Sequence, residues 1–220
     1  MIPRFTATLL PALIAVAGCA TANPAERQAA VPAATRAGVT DTTVNAQHAY
    51  TAADIHFMGG MIGHHAQAIV MAQWAPSHGA SPSIQTLAAR IINAQRDEIA
   101  AMEKWLRDRR QPLPKTSAHG IMMNMNGVEH EMTMPGMLTD AQLKQLDEAR
   151  GKEFDRLFLT FMIQHHKGAV TMVEELFQTS GAAQDISVYK LASDVFADQT
   201  TEIERMQKML ASAIFETNVR

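Results

Sequence analysis

The sequence predicts an all-α fold, a four-helix bundle built from two duplicated helical hairpins joined by a long crossover. Three observations carry this expectation. Asp54 to Met71 aligns without a gap to Asp155 to Met172, with Asp, Phe, Met-Ile, His-His, Ala and Met at matching places. Downstream in each half, Gln95-x-x-Glu98-Ile99-x-x-Met102-x-x-x-Leu106 recurs as Gln199-x-x-Glu202-Ile203-x-x-Met206-x-x-x-Leu210. Two ordered patterns that each occur twice argue for internal duplication. Finally, Ile84, Leu87, Ile91, Ile99, Met102 and Leu106 mark one stripe, and Val188, Leu191, Val195, Ile203 and Met206 mark its copy. Spacings of three and four residues belong to a helix with one apolar face.

The elements follow in order. Residues 1–18 read as a signal peptide: Arg4 is their one charge, and the apolar run from Leu9 to Ala17 is too short to span a bilayer. Val16-Ala17-Gly18-Cys19 resembles a bacterial lipobox, in which Cys19 receives lipid and becomes the mature N-terminus. Simple cleavage near Ala20 or Ala22 is the alternative. Either route exports the protein, here to the periplasm, and Ala20 after the Cys favours the outer membrane for a lipid anchor. Residues 19–47, rich in Ala, Thr and Pro, read as a flexible tether. The folded domain is expected over 48–220, with helices near 51–76, 82–110, 140–179 (with a break near Gly151) and 185–215. Ser81-Pro82 and the capping box Thr139-x-x-Gln142 mark starts, and His78-Gly79 and Ser180-Gly181 mark stops. Asp54 and Asp155 read as helix caps. The joint at 111–138 is too long for a tight turn, reads as a loop and is expected to cross the bundle.

Composition narrows the chemistry. The chain of 220 residues carries a net charge of −3, one Cys, nine His and fifteen Met, so Met outnumbers all the aromatic residues together. A single Cys excludes a disulfide framework and a Cys-rich zinc site. A mildly acidic balance argues against a nucleic-acid partner. What remains distinctive is soft, uncharged donors. Met61, His64, Ala68 and Met71 share one helical stripe, with His65 and Met58 on the next. Met162, His165, Ala169 and Met172 repeat it, with His166 beside them. Both stripes lie on or beside the apolar face, so the histidines are expected to point inward. Buried imidazoles are costly unless each finds a partner, and a metal ion is one such partner. Thioethers select Cu(I), and Ag(I) by analogy, in a compartment where thiolates are hard to keep reduced.

Secondary ligands are also legible. Glu98 and Glu202 border the core stripe, as candidates either for orienting imidazoles or for direct ligation, beside Met102 and Met206. Residues 119–137 hold six Met and two His, among them His119, Met122, Met123, Met125 and His130. This segment reads as a lower-affinity metal collector or as an apolar cover.

The two motifs also carry a family resemblance. Phe57-Met58-x-x-Met61-Ile62-x-His64-His65-x-x-Ala68-x-x-Met71 is similar to a first signature. Pro135-Gly-Met-Leu-Thr139, followed by the run from Phe154 to Met172, is similar to a second. Over roughly residues 48–213 the chain resembles the bacterial family called domain of unknown function 305. The resemblance implies a ferritin-like four-helix fold, and some members are periplasmic copper-binding proteins that support copper tolerance. Gly63 departs from the Pro that many relatives carry and is expected to loosen the first helix. The leading expectation is an exported protein, lipid-anchored to the membrane surface, that binds, buffers or delivers copper, Cu(I) in preference, with no catalytic residue. The two motifs could build two sites or converge on one. Two rivals remain open. One is a metal-free structural or interaction module. The other is a di-iron oxidase, disfavoured because Glu98 is followed at the third position by Ala101, and Glu202 by Arg205, where that chemistry needs His.

Overall fold

The computed structural model describes residues 50–117, 121–125 and 128–218. The proposed signal, Cys19 and the tether lie outside the described residues. Five helices follow one another: α1 (Ala52–Gln73), α2 (Pro82–Asp108), α3 (Asp140–Glu148), α4 (Gly151–Gln178) and α5 (Ile186–Asn218). They pack in pairs, α1 on α2 and α4 on α5, and the pairs meet where α1 lies on α4. No described helix is long and apolar enough to cross a membrane.

The ends form where side chains satisfy the free backbone groups of a helix terminus. Thr51 and Asp54 make a reciprocal capping box at α1, and Thr139 and Gln142 make one at α3. Pro82 opens α2. The expected third helix is two helices. Ala149 and Arg150 are extended, and the break is held by the turn after α1. There the Gly151 amide donates to the His78 carbonyl at 2.9 Å, and His78 Nε2 donates to the Asp147 carbonyl at 2.9 Å. Asp54 caps α1 and does more, whereas Asp155, expected as a cap, does not cap α4, whose start has no side-chain cap bond. Asp54 also accepts the Ala183 amide, just before α5, at 2.7 Å, and Asp155 accepts the Ser81 amide, just before α2, at 3.1 Å. Each thereby ties its own helix to the helix start of the other pair.

Two expectations are corrected. Gly63 does not loosen α1, which runs unbroken through Gly59, Gly60 and Gly63 because nearly its whole circumference is buried. The joint is not a plain loop either. It contains a three-stranded antiparallel sheet, β1 (Lys115–Thr116), β2 (Ile121–Met125) and β3 (Val128–Met132), in the order β1-β2-β3. Met125 pairs with Val128 across Asn126-Gly127, the dipeptide most diagnostic of a hairpin connection.

After β3 the chain straps across α1 and α4. Gln67 on α1 accepts the Leu138 amide at 2.7 Å and donates to the Leu138 carbonyl at 3.1 Å. Gln164 on α4 donates to the Gly136 carbonyl at 3.3 Å. The strap sits this low because both helices offer glycine beneath it. A Cβ on Gly168 would stand 1.9 Å from the Pro135 carbonyl oxygen, and one on Gly60 would stand 2.9 Å from Met134 Sδ. The two contacts differ in kind, since a backbone carbonyl cannot swing aside and a thioether can.

Alanine normally gains about 1 kcal/mol over glycine inside a helix. Gly168→Ala should nevertheless destabilise, by about 1–3 kcal/mol, because the strap must lift. Gly60→Ala should lie within about 1 kcal/mol of the parent. Urea unfolding of the two variants checks this, and a Gly168→Ala midpoint at or above the parent's would show that the strap is not seated on α4.

Candidate metal centre

Adjacent residues of a helix point about 100° apart. On α1 this aims His64 toward α4 and His65 toward α2. On α4 it aims His165 toward α1 and His166 toward α5. All four side chains are fully buried. The rings of His64 and His165 meet between the helix pairs, with centroids 3.8 Å apart and planes at 40°. His65 and His166 flank them, with centroids 6.4 and 6.3 Å from their sequence neighbours.

Acceptors define the tautomers of three of these rings. Glu98 of α2 accepts from His65 Nε2 at 2.6 Å, and Glu202 of α5 accepts from His166 Nε2 at 2.7 Å. The Pro135 carbonyl of the strap accepts from His64 Nε2 at 2.9 Å. A carboxylate or carbonyl oxygen can only accept, so Nε2 carries a proton in each ring, and in a neutral imidazole Nδ1 then presents a lone pair. The Nδ1 atoms of all four histidines are buried without a hydrogen-bond partner, and His165 lacks one at Nε2 as well. Beside them on α2 and α5, Gln95 and Gln199 are buried with unpartnered amide atoms. Each such group costs about 1–3 kcal/mol unless something satisfies it.

The electrostatics keep the central rings neutral. Burial, and then the neighbouring His65, pushes His64 down to about 3 despite the opposing bond from Pro135. Burial, and then His64, holds His165 well below the ordinary histidine value. On the α5 side Asp198 is raised, first by desolvation and then by the charges of Glu98 and Glu202. Negative charge therefore gathers outside the two flanking histidines, while the centre stays uncharged.

The thioethers sort by depth. Met61 and Met172 share one apolar cluster with Met58, Met102, Met134 and Met137. Met71 and Met162 share the other with Met206. Gly60 meets Met172 while His64 meets His165, so α1 and α4 cross in opposite senses. This crossing groups a Met preceding the histidines of one helix with the Met following those of the other. All of these side chains are buried. Met122 is half-buried on β2. His119 lies outside the described residues, as do the side chains of Met123, Met125 and His130.

The donors present fit a soft ion. Imidazole lone pairs without partners stand between two layers of thioether, and the outer imidazole nitrogens are held by carboxylates, the arrangement that orients metal-binding histidines. Among the described residues no three of His, Cys, Asp and Glu are grouped to hold an ion, so the four histidines are not a ready-made cage, and an ion here would draw on the thioethers as well. Glu98 and Glu202 bond imidazole nitrogens. Sequence reasoning missed the strap's part in the site. Gln67, a lone amide on the apolar face of α1 three residues beyond His64, is the signal that could have found it.

Comparison with known proteins follows this geometry. The family model described as domain of unknown function (DUF305) matches residues 54–210. A Streptomyces coelicolor DUF305 protein of known structure, named as a candidate secreted protein, is 30% identical over 73% of this chain and 93% of its own, with a TM-score of 0.59. CopM in its Cu(I)-bound form is 28% identical over 74% of this chain and 98% of its own, with a TM-score of 0.54, and CopM is also known in Ag-bound, Cu(II)-bound and apo forms. Among curated proteins, the uncharacterized protein L153 of Acanthamoeba polyphaga mimivirus is 39% identical over 57 residues, a match spanning 26% of this chain and 38% of that protein. With the match to the family model covering most of the helical region, the chain belongs to the DUF305 family.

Proposed function

We propose that this protein is an exported soft-metal carrier that binds copper, with Cu(I) preferred, and buffers or delivers it. The two Met-x-x-His-His-x-x-Ala-x-x-Met helices, read as products of duplication in a ferritin-like frame, meet through His64 and His165, with His65 and His166 flanking them. The observation that carries the proposal is the set of four buried Nδ1 atoms without partners, two of them on rings in contact. His64, His65, His165 and His166 supply nitrogen, and Met61, Met71, Met162 and Met172 supply sulfur. Because CopM, of the same fold, is known with Cu(I), Ag and Cu(II), the reading is chemically reasonable for this frame. Cys19 would tether the domain to the outer membrane, and the candidate secreted relative supports export. The metal-free module keeps one observation in its favour, the carboxylate and carbonyl bonds that already satisfy one nitrogen of three histidines.

Competition between the mature protein and a Cu(I) chelator separates the two. The carrier retains copper and loses it when all four histidines become Ala, and its melting temperature rises with added Cu(I). An unmoved melting curve, or full retention in the four-Ala variant, supports the module. Glu98→Gln with Glu202→Gln should weaken Cu(I) binding about 10–100-fold while the fold persists, the usual cost of losing such partners. Unchanged affinity would show that the carboxylates do not tune the centre.

Proton linkage provides a metal-free check. His64 is lowered from 6.5 to about 3, so the unfolded chain takes up a proton on this side chain well before the folded one does. Stability of the apo protein should therefore fall as pH drops through that window, by up to about 1.4 kcal/mol per pH unit for each such histidine. Urea midpoints at pH 6.5 and 4.5 should show a flatter dependence in the His64→Gln, His165→Gln protein. Equal slopes would contradict a neutral buried pair.

A further inference from the structure

Away from the histidine centre, a solvent-facing cleft of about 160 Å³ opens between the start of α1, the end of α4 and the strap. His56, Phe57, Met134, Pro135, Met172 and Glu175 line it. Its floor is unusual for a surface depression. Met134 from the strap and Met172 from α4 fold over the same glycine: a Cβ on Gly60 would stand 2.9 Å from Met134 Sδ and 3.3 Å from Met172 Cε. Both methionines are 5% exposed, so they are buried side chains reaching the cleft. His56, exposed on α1 one helical turn before Gly60, lines the same wall.

We propose that Met134, Met172 and His56 form a second, outer site for a soft monovalent cation such as Cu(I) or Ag(I). Two thioethers and an imidazole are a soft, uncharged donor set that discriminates against the hard cations abundant outside the cell. Glu175 on the rim supplies a negative charge that draws a cation in without being a soft ligand itself. The site also has a connection inward. Pro135 lines the cleft and its carbonyl holds His64, so one strap residue separates the outer donors from the central rings. Met172 belongs to the same apolar cluster as Met61, on the turn of α1 before His64. The outer site is thus the entry to the inner one. Gly60 leaves open the space over which Met134 Sδ and the Met172 methyl lie, and any larger residue would displace them.

This inference rests on the soft-metal reading of the histidine centre, and the test keeps the two apart. The mature protein, labelled at Met methyl carbon and at His nitrogen, is titrated with Ag(I), which is diamagnetic and does not cycle. The outer site predicts that the Met134 methyl and His56 nitrogen signals move with one equivalent and the central histidine signals with another, Met172 being shared by both. Met134→Leu with His56→Gln, a nearly volume-conserving pair, should lose one equivalent and leave the histidine response intact. Gly60→Ala, which crowds Met134 Sδ while keeping every donor, should weaken the outer equivalent at least tenfold. Central histidine signals that respond while the Met134 methyl and His56 stay still, with the same stoichiometry in all variants, would overturn the outer site alone. Wild-type protein that takes up no Ag(I) would overturn the inner reading and the outer site with it.

Discussion

Everything in the domain is arranged around the contact between His64 and His165 where α1 crosses α4. Two imidazoles with centroids 3.8 Å apart, both fully buried, cannot both be charged, and neither can be left wholly unsatisfied without cost. The surroundings answer the first demand by excluding water and the second only in part. Carboxylates from α2 and α5 and a carbonyl from the strap hold one nitrogen of three rings, and the Nδ1 atoms are without partners. A fold serving only its own stability would have filled these positions with leucine or paired them completely. Partial satisfaction of buried polar groups is the form expected of a site that takes a ligand.

The two halves share a motif and not an environment. The strap bonds His64 through Pro135, while the polar group that opposes the burial of His165 is the His64 backbone. The asymmetry begins with the side chains beneath the strap. Gly168 lets the Pro135 carbonyl approach α4, while the matching position on α1, Gln67, grips Leu138 through both atoms of its amide. One repeat therefore anchors the connection and the other makes room for it. The repeated aspartates keep parallel duties, each bonding an amide ahead of a helix in the opposite pair.

Much of this was legible in the sequence, and the exceptions have physical causes. Helix positions followed from apolar spacing and from capping residues such as Thr139 and Gln142, because those signals are local. The inward aim of the His-His pairs followed from their place on the apolar stripe, and the carboxylates from their place beside the second stripe. The grouping of Met61 with Met172, and of Met71 with Met162, was not legible, because it depends on the sense in which α1 and α4 cross. The seat of the strap was hidden for a related reason, since a glycine that accepts a distant carbonyl looks like any other glycine in a helix. The small sheet is a different case. Asn126-Gly127 between two Met- and Val-containing runs is a local hairpin signal, overshadowed by the Met-rich composition around it.

In the proposed centre, Nδ1 of His64, His65 and His166 is the open atom while Nε2 of each is held by the protein. Nitrogen-detected NMR of the histidine side chains, before and after one equivalent of Cu(I), reads this directly. The apo protein should show Nε2–H tautomers for His64, His65 and His166. Cu(I) should then move the His64 Nδ1 resonance while its Nε2 proton remains. A His64 Nδ1 signal that does not respond to bound Cu(I), or apo rings carrying the proton on Nδ1, would contradict this assignment.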